Sequence, residues 1–271
     1  MQKPTSIKHI IVIASGKGGV GKSTTSVNLA LALAKEGFNI GVLDADIYGP
    51  SQPTMLNISQ KPEIKDKGML PLRNHGIQSM SIGYLIDTNT PMIWRGPMVS
   101  TALLQLLNDT QWDNVDYLVI DLPPGTGDIQ LTLAQKIPIS GAVIVTTPQD
   151  LALLDARRAY EMFKKVNVPI LGIIENMSHH ICSQCGHKEA IFGEGGGEKL
   201  AEQYGLEFLG KLPLDKNIRE QTDNGTPTVA VDPTSINTLE YLNIARHIAT
   251  KLPIVNETNA ISFPTIEIRN D

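Results

Sequence analysis

Two cysteines lie three residues apart in the histidine-rich stretch HHICSQCGH. Cys182 and Cys185 are the only cysteines among the 271 residues, and His179, His180 and His187 flank them. Two thiols supply half of the four-ligand set that protein-bound metals commonly use. In a reducing compartment, such close cysteines favour metal binding or redox chemistry over a structural disulfide.

A glycine-rich segment near the N-terminus predicts a phosphate-binding loop. The segment GKGGVGKST matches G-x-x-x-x-G-K-[ST], with Gly16, Gly21, Lys22 and Ser23 at the defining positions. It follows an apolar strand and opens a helix, which is the context in which this motif binds nucleoside phosphates. Glycine N–H groups and the helix N-terminus attract phosphate oxygens, Lys22 reaches the β- and γ-phosphates, and Ser23 binds Mg²⁺. The predicted nucleotide-binding residues of the loop are Gly16, Lys17, Gly18, Gly19, Val20, Gly21, Lys22, Ser23 and Thr24.

Lys17 is an addition that the general loop does not require. A lysine directly after the first glycine is typical of the deviant Walker A class, which this loop resembles. In that class the early lysine crosses a dimer interface and contacts the partner's nucleotide, where its charge stabilises the transferring phosphoryl group. The alternative is an ordinary solvated lysine at the surface.

Aspartates end two of the predicted strands. Asp121 ends the strand YLVID, and we expect its carboxylate to hold Mg²⁺ through a water molecule. In VLDADIYGPS, we predict that Asp46 orients the attacking water, whereas Asp44 is structural or lies beside the metal. Either aspartate alone could also be a helix cap. The predicted catalytic residues are therefore Lys17, Lys22 and Asp46.

Asn176 lies directly after another predicted strand, in the segment IIENMS. A side-chain amide at this place has the donor and acceptor needed to recognise the edge of adenine. The alternative is an ordinary turn residue, since asparagine is common where strands end.

Apolar runs rich in isoleucine and valine alternate with helical patterns along the chain, which predicts an α/β fold with a doubly wound, mostly parallel sheet. The predicted strands are His9–Ala14, Ile40–Asp44, Tyr117–Asp121, Ala142–Thr146, Ile170–Glu175 and the weaker Leu206–Leu212. The predicted helices are Lys22–Glu36, Val99–Leu107, Gln130–Lys136, Leu151–Val166, Glu198–Tyr204 and Ile236–Leu252. Between Ser59 and Thr90 the pattern is less regular and suggests extra short strands. We expect one P-loop ATPase domain over residues 1–253, with a C-x-x-C loop at 176–192 and a tail at 254–271.

Charge and hydropathy argue against several classes of function. The chain has 23 basic and 28 acidic residues, a net charge of −5, which disfavours general binding to nucleic acid or to anionic membranes. No apolar run has the length of a membrane span. The apolar N-terminal stretch runs into the glycine loop without a cleavage site, so we interpret it as a strand and not a signal peptide. We expect a cytoplasmic protein.

Six segments in order along the chain resemble the Mrp/ApbC family of iron–sulfur cluster carrier ATPases. They are GKGGVGKST, DADIYGPS, WRGPM, DLPPGTGD, TTPQDLALLDARR and NMS followed by C-x-x-C and FGEGGG, and the resemblance spans Ile7 to Leu252. It implies a homodimeric P-loop ATPase of slow, Mg²⁺-dependent turnover. Such a protein binds a [4Fe–4S] cluster and passes it to recipient apoproteins, with cluster scaffold proteins as further partners. The family often carries a small additional N-terminal domain, which we expect this chain to lack.

Carried onto this sequence, the resemblance implies a role for each matching residue. Lys17 becomes the lysine acting across the dimer, Lys22 and Ser23 contact phosphate and Mg²⁺, and Asp46 and Asp121 become the switch carboxylates. Cys182 and Cys185 become the cluster ligands.

Three interpretations of the cysteine pair remain open. A cluster takes four thiolates, and a two-fold dimer would supply two from each chain. The neighbouring histidines would instead allow a Cys₂His₂ zinc site within one chain. A redox dithiol is a third possibility, although the pair does not open a helix as such motifs usually do. A zinc-bearing MinD- or ParA-like positioning or partition ATPase is the alternative function.

Overall fold

One eight-stranded sheet crosses the structure, a computed structural model that describes residues 4–86 and 96–254. The strands are β1 (Ile7–Ala14), β2 (Ile40–Asp44), β3 (Ile64–Lys65), β4 (Gly68–Met69), β5 (Leu72–Asn74), β6 (Ile77–Ser81), β7 (Val115–Asp121), β8 (Gly141–Thr146), β9 (Ile170–Glu175), β10 (His180–Ile181), β11 (Lys188–Glu189) and β12 (Phe208–Lys211). The sheet has the order β12-β9-β8-β1-β7-β2-β6-β5, and its pairs are parallel except for antiparallel β5–β6. Strands β3–β4 and β10–β11 form two small antiparallel pairs.

Helices connect the strands and pack in two series. They are α1 (Lys22–Lys35), α2 (Gln52–Met55), α3 (Gly96–Asp109), α4 (Asp128–Lys136), α5 (Asp150–Lys165), α6 (Gly196–Tyr204), α7 (Lys216–Asp223), α8 (Thr228–Val231) and α9 (Ile236–Lys251), with a short 3₁₀ helix at Ile82–Tyr84. Helices α1, α8 and α9 pack on one another, and α3, α4, α5 and α6 pack in succession. This arrangement is the doubly wound α/β fold that the alternating pattern predicts.

The central strands form the core of the sheet. Every residue of β2, β7 and β8 is buried, and the last five residues of β1 are buried as well. Strands covered by helices on both faces have no solvent-facing side, so their sequences are continuous apolar runs. The two charged residues that end β2 and β7, Asp44 and Asp121, are therefore buried exceptions that need partners.

The carboxyl ends of β1, β7 and β2 meet at one edge of the sheet. Asp121 pairs in register with Ile13 of β1 and with Asp44 of β2. Parallel strands place the loops that follow them at the same edge, which is where open α/β sheets bind ligands. The glycine loop after β1 and both aspartates therefore share one site.

All predicted strands and helices occur, with ends that differ from the sequence prediction by three residues or fewer. The strand predicted from His9 begins at Ile7, and the one predicted from Tyr117 begins at Val115, because the β1–β7 ladder extends to that pair. The other corrected elements are β8, β12 and helices α1, α3, α4, α5, α6 and α9, whose ends are as given above. Apolar periodicity does not mark such ends, since the terminal hydrogen bonds and caps decide them.

Three short helices were not predicted: α2, α7 and α8. Helix α7 buries only Ile218 and Thr222, so it has too few apolar residues for a helical pattern. Its N-cap gives the one usable signal, because the Asp215 side chain accepts a hydrogen bond from the backbone N–H of Asn217 at 2.6 Å. The short strands expected between Ser59 and Thr90 are confirmed as β3 to β6, and residues 87–90 lie outside the described part.

Some predictions lie outside the described residues. They are the first two residues of the WRGPM segment, Trp94 and Arg95, and all of the predicted tail after Ile254. Within residues 4–86 and 96–254, no helix is both long enough and apolar enough to cross a membrane.

Candidate functional site

The phosphate loop links the end of β1 to the start of α1. Gly19 and Gly21 have φ angles of +80° and +79°, a left-handed conformation that glycine adopts without the steric cost of a Cβ. Gly21 is the N-cap of α1, so the loop delivers backbone N–H groups to a helix N-terminus. The loop lines a cavity of about 280 Å³ together with Lys17 and Asp46. The structure thus brings seven of the nine predicted loop residues and Asp46 to one cavity, which Gly16 and Val20 do not line.

Lys22 forms a buried ion pair with Asp121. The Nζ of Lys22 lies 2.5 Å from Oδ1 of Asp121, and their side chains are 6% and 0% exposed. The hydroxyl of Ser26 donates to the same oxygen at 2.9 Å, and Nε2 of Gln52 donates to Oδ2 at 3.1 Å. The carboxylate is therefore fully hydrogen-bonded, which is the condition under which a buried charge is tolerated. Lys22 also reaches the hydroxyl of Ser23, at 3.3 Å.

Asp44 is a buried carboxyl group that organises the segment after β2. It accepts hydrogen bonds from the backbone N–H groups of Asp46 and Gln52 and from the Ser81 hydroxyl, each at 3.1 Å. Burial, followed by the negative charge of nearby Asp121, raises the pKa of Asp44 to about 7. These contacts agree with the structural role that the sequence offered as one alternative for Asp44.

Asp46 is half-buried and lines the cavity beside the phosphate loop. Burial raises the pKa of its carboxyl group, and the positive charge of Lys22 opposes that change. A carboxylate in this place can accept a proton or a hydrogen bond from a water molecule in the cavity. The geometry is compatible with the predicted water-orienting role, which remains a prediction.

Ser51 and Gln52 were not predicted from the sequence. The Ser51 hydroxyl oxygen and Oε1 of Gln52 are buried without a hydrogen-bond partner, although Nε2 of Gln52 donates to the backbone carbonyl of Ser23 at 3.2 Å. Buried oxygens without a partner beside a phosphate loop can coordinate a bound cation or accept hydrogen bonds from a ligand. Ser51 lines the cavity with Ser23 and Asp46, so hydroxyl and carboxylate oxygens of the kind that Mg²⁺ prefers lie there. The signal available in the sequence for Ser51 and Gln52 was only their place directly after DIYGP.

Asn176 contacts the phosphate loop directly. Its Nδ2 donates to the backbone carbonyl of Val20 at 2.8 Å, and the residue is 8% exposed. A Cβ on Gly21 would collide with the same nitrogen, and the left-handed φ of Gly21 strains any other residue there. The expected adenine contact remains a prediction, and the bond to the loop is a role that the sequence did not indicate.

The cysteines lie on a small antiparallel hairpin, built from β10 and β11, which we call the cysteine hairpin (residues 180–189). The backbone N–H of Cys182 donates to the carbonyl of His187 at 2.9 Å, and that of Gly186 donates to Cys182 at 2.8 Å. Cys185 is exposed and Cys182 is partly exposed. Hydrogen bonds from the backbone N–H groups of Gln184 and Cys185, then from the Cys185 thiol, lower the pKa of the Cys182 thiol. This environment favours the thiolate, which is the form that binds metals.

The histidines beside the hairpin do not complete a metal site within one chain. The Nδ1 of His179 lies 2.9 Å from the Ser178 hydroxyl, and that of His180 lies 3.0 Å from the carbonyl of Leu214. In the part of the chain that the structure describes, no three His, Cys, Asp or Glu side chains are grouped closely enough to hold a metal ion. The single-chain Cys₂His₂ alternative therefore lacks an assembled ligand set.

Sequence comparisons identify relatives along most of the chain. The ParA family model described as NUBPL iron-transfer P-loop NTPase matches residues 6–249. The iron–sulfur cluster carrier protein of Pseudomonas fragi is 64% identical over 243 residues, which cover 89% of this chain and 85% of that protein. The iron–sulfur cluster carrier protein of Escherichia coli (strain K12) is 59% identical, over 91% of this chain and 67% of its own length. The iron–sulfur cluster transfer protein NUBPL of Mus musculus is 51% identical, over 93% and 80%.

Solved structures support the same fold. A nucleotide-binding protein from Archaeoglobus fulgidus in complex with ADP has a TM-score of 0.75 and 36% identity, covering 88% of this chain and 93% of that one. The cell division ATPase MinD of Pyrococcus furiosus has a TM-score of 0.66 and 22% identity, covering 89% and 98%. The likeness to MinD concerns the fold alone.

Replacing Lys22 tests the nucleotide site. We expect Lys22→Ala to lower ATP turnover by about a hundredfold or more, because the variant lacks the ammonium group predicted to reach the phosphates. Steady-state phosphate release, measured with Mg²⁺ present, checks this result. Turnover equal to that of the wild type would contradict the assignment.

A double variant tests the contribution of the ion pair to stability. Lys22→Ala alone leaves the buried Asp121 carboxylate without its counter-ion, so we expect a lower thermal midpoint. Adding Asp121→Asn removes that charge and should recover much of the midpoint, because the buried carboxylate no longer lacks a counter-ion. A midpoint as low in the double variant as in Lys22→Ala would contradict this account of the ion pair.

Asp44 should make stability depend on pH. Its pKa is 3.8 in an unperturbed carboxyl group and about 7 in the folded chain, so folding holds the proton more tightly. The resulting stabilisation is complete below the lower value and is lost as the pH rises through the upper one. We expect the thermal midpoint of nucleotide-free wild type to fall between about pH 5 and about pH 8, and to fall less in Asp44→Asn. Equal pH slopes in the two proteins would contradict the raised pKa.

Proposed function

Because the chain belongs to the NUBPL family of iron-transfer P-loop NTPases, we propose that it is an ATP-dependent iron–sulfur cluster carrier. The observation that carries the proposal is a pair of thiols, one exposed and one partly exposed, on a hairpin that follows Asn176, a residue bonded to the phosphate loop. A nucleotide site and a site for a labile metal cargo are thus joined within one chain. The cargo is a [4Fe–4S] cluster, and its recipients are iron–sulfur apoproteins, with cluster scaffold proteins as the source.

We infer that two copies of the chain share one cluster. Each chain contributes Cys182 and Cys185, and a cluster needs four thiolates. A two-fold axis beside the hairpin would bring two identical pairs together. Large apolar side chains are exposed on the hairpin, just after it and on helix α5, as a surface that pairs with a copy of itself requires: Ile181, Ile191, Leu151 and Leu154.

Exposure suits the proposed cargo role of the thiols. The cluster passes to a recipient when the recipient's thiolates replace those of Cys182 and Cys185, so the ligands must be accessible. The backbone hydrogen bonds around Cys182 stabilise its thiolate both before loading and after release. A reducing compartment keeps both cysteines free, and we propose the cytoplasm.

The nucleotide site supports slow ATP hydrolysis. The loop N–H groups hold the phosphates, and Lys22 exchanges its contact with Asp121 for the β- and γ-phosphates. Mg²⁺, held by Ser23 and through water by Asp121, would neutralise charge on the phosphate oxygens. Asp46 orients the attacking water, and the partner's Lys17 supplies positive charge to the transferring phosphoryl group in the proposed dimer.

The reach of Lys17 across the dimer has a direct test. We expect Lys17→Ala to keep most of its ATP affinity but to lose hydrolysis, because its charge acts mainly on the transition state. Asp46→Asn should lose hydrolysis within its own chain. Mixed dimers of the two variants contain one site with both Asp46 and the partner's Lys17, so phosphate release should partly return. No return of activity, once subunit exchange is shown by fluorescence transfer, would indicate that Lys17 does not act across the dimer.

Metal analysis tests the shared cluster. After anaerobic reconstitution we expect about four iron and four sulfide per dimer, with absorbance in the visible iron–sulfur band. Cys182→Ser or Cys185→Ser should remove the cluster and leave ATP binding intact, because the phosphate loop lies elsewhere.

The matched control removes the histidines. A variant with His179, His180 and His187 all replaced by Ala should keep the cluster, since thiolates alone hold it. One zinc per chain that is lost with the histidines would overturn cluster carriage in favour of a zinc site.

A further inference from the structure

Asn176 joins the phosphate loop to the segment that leads to the cysteine hairpin. Its Nδ2 donates to the carbonyl of Val20, and its own backbone N–H donates to the carbonyl of Thr146, both at 2.8 Å. The first bond is buried, so water competes little with it. The residue is therefore held at the end of β9 while its side chain holds the loop.

The bond from Asn176 to Val20 also fixes the orientation of the Gly21 N–H, a group that the loop would offer to phosphate. The described residues contain no cis peptide bond, so the Val20 carbonyl and the Gly21 N–H point in opposite directions from one planar peptide unit. Fixing the carbonyl toward Asn176 fixes the N–H of Gly21 away from it, and Gly21 lines the nucleotide cavity. Any rotation of this peptide changes both the phosphate contact and the bond to Asn176.

The segment after Asn176 is a strained and well-connected turn. Met177 has a φ of +56°, in the left-handed region that residues with a Cβ adopt only at a cost in energy. Ser178 donates from both its backbone N–H and its hydroxyl to the carbonyl of Leu212, at 3.0 and 3.1 Å. The backbone N–H of Leu214 donates to the carbonyl of His179 at 2.7 Å, directly before the hairpin begins. Three residues with these fixed contacts separate Asn176 from the hairpin, so few torsions are free between them.

We propose that Asn176 is the positioning residue through which nucleotide binding changes the cysteine hairpin. When phosphate oxygens accept a hydrogen bond from the Gly21 N–H, the Val20–Gly21 peptide rotates. The hydrogen bond between Val20 and Asn176 then transmits this rotation to the turn at Met177. The coupling is reciprocal, so the state of the hairpin alters nucleotide affinity by the same factor. The inference rests on the proposed function and deepens it by assigning the route of its regulation.

The reactivity of the cysteines reports this coupling without any cluster. Cys182 and Cys185 are the only cysteines in the sequence, so iodoacetamide labels the hairpin alone. We expect saturating Mg·ADP to change the alkylation rate of cluster-free wild type by about three- to tenfold, the factor that one hydrogen bond supplies in an equilibrium constant. Asn176→Ala should show no change on adding ADP at a concentration that saturates the variant, as set by calorimetry.

Two further variants keep the test specific. Asn176→Asp keeps the side-chain shape but presents no N–H to Val20, so it should also lose the response. Asn74→Ala removes a similar amide-to-carbonyl bond, from Nδ2 to Leu56 at 2.7 Å, far from the hairpin in the sheet order. This control should keep the full response even if its stability falls.

The outcomes separate the coupling from cluster carriage. A wild type whose labelling ignores ADP, or Asn176 variants that retain the wild-type response, would overturn the coupling. Loss of the response in Asn74→Ala would also overturn it, because the effect would then be one of general stability. A protein that takes up no iron or sulfide yet shows the predicted responses supports the coupling and contradicts only the proposed cargo.

Discussion

A buried ion pair between Lys22 and Asp121 is the interaction on which the nucleotide site depends. It joins the first residue of α1 to the last residue of β7, and neither side chain is more than slightly exposed. Two charges in so little water are stable only when their remaining hydrogen bonds are satisfied, and Ser26 and Gln52 supply them. The pair therefore fixes α1, the phosphate loop and the segment after β2 relative to the sheet. In the proposed mechanism it also holds the lysine close to where phosphate binds.

The neighbouring carboxyl group extends this electrostatic constraint. Asp44 lies next to Asp121 in the sheet, and burial beside that charge favours its protonated form. Its oxygens accept hydrogen bonds from the backbone N–H groups of Asp46 and Gln52. Asp46 lines the cavity with its carboxylate, and Gln52 has a buried side-chain oxygen without a partner. The acidic groups after β2 thus differ in role because they differ in burial. The buried one shapes the segment, and the half-buried one faces the cavity.

The two chemistries of the proposed function need opposite environments, and the fold provides both. Phosphoryl transfer gains from buried charges that water does not screen, whereas cluster transfer needs ligands that a recipient can reach. The first site is built from loops at the carboxyl edge of the central strands. The second is on a hairpin that extends from the end of β9, with Cys185 exposed. Asn176 lies between the two sites. Its side chain is bonded to the phosphate loop, and a short turn leads from it to the cysteine hairpin.

The fold class, the order of the main elements and the residues with reactive groups could be predicted from the sequence. Continuous apolar runs predict buried parallel strands because both faces of such strands are covered, and the glycine spacing predicts the loop because few other residues adopt its backbone angles. The ends of β1 and α3 were wrong by two or three residues, because terminal hydrogen bonds and not periodicity decide them.

The contacts among these residues depend on the folded chain and could not be predicted from the sequence. The contact of Asn176 with Val20 spans 156 residues, and Gln52 meets Asp121 across 69, so no local pattern records either one. Periodicity also missed α7, whose Asp215 cap supports a helix with few buried side chains. Among the described residues, the histidines and cysteines do not group closely enough to hold a metal ion, although their spacing along the chain allowed a zinc site. Spacing limits which residues are close along the chain, but the packing of strands and turns decides which side chains share a space.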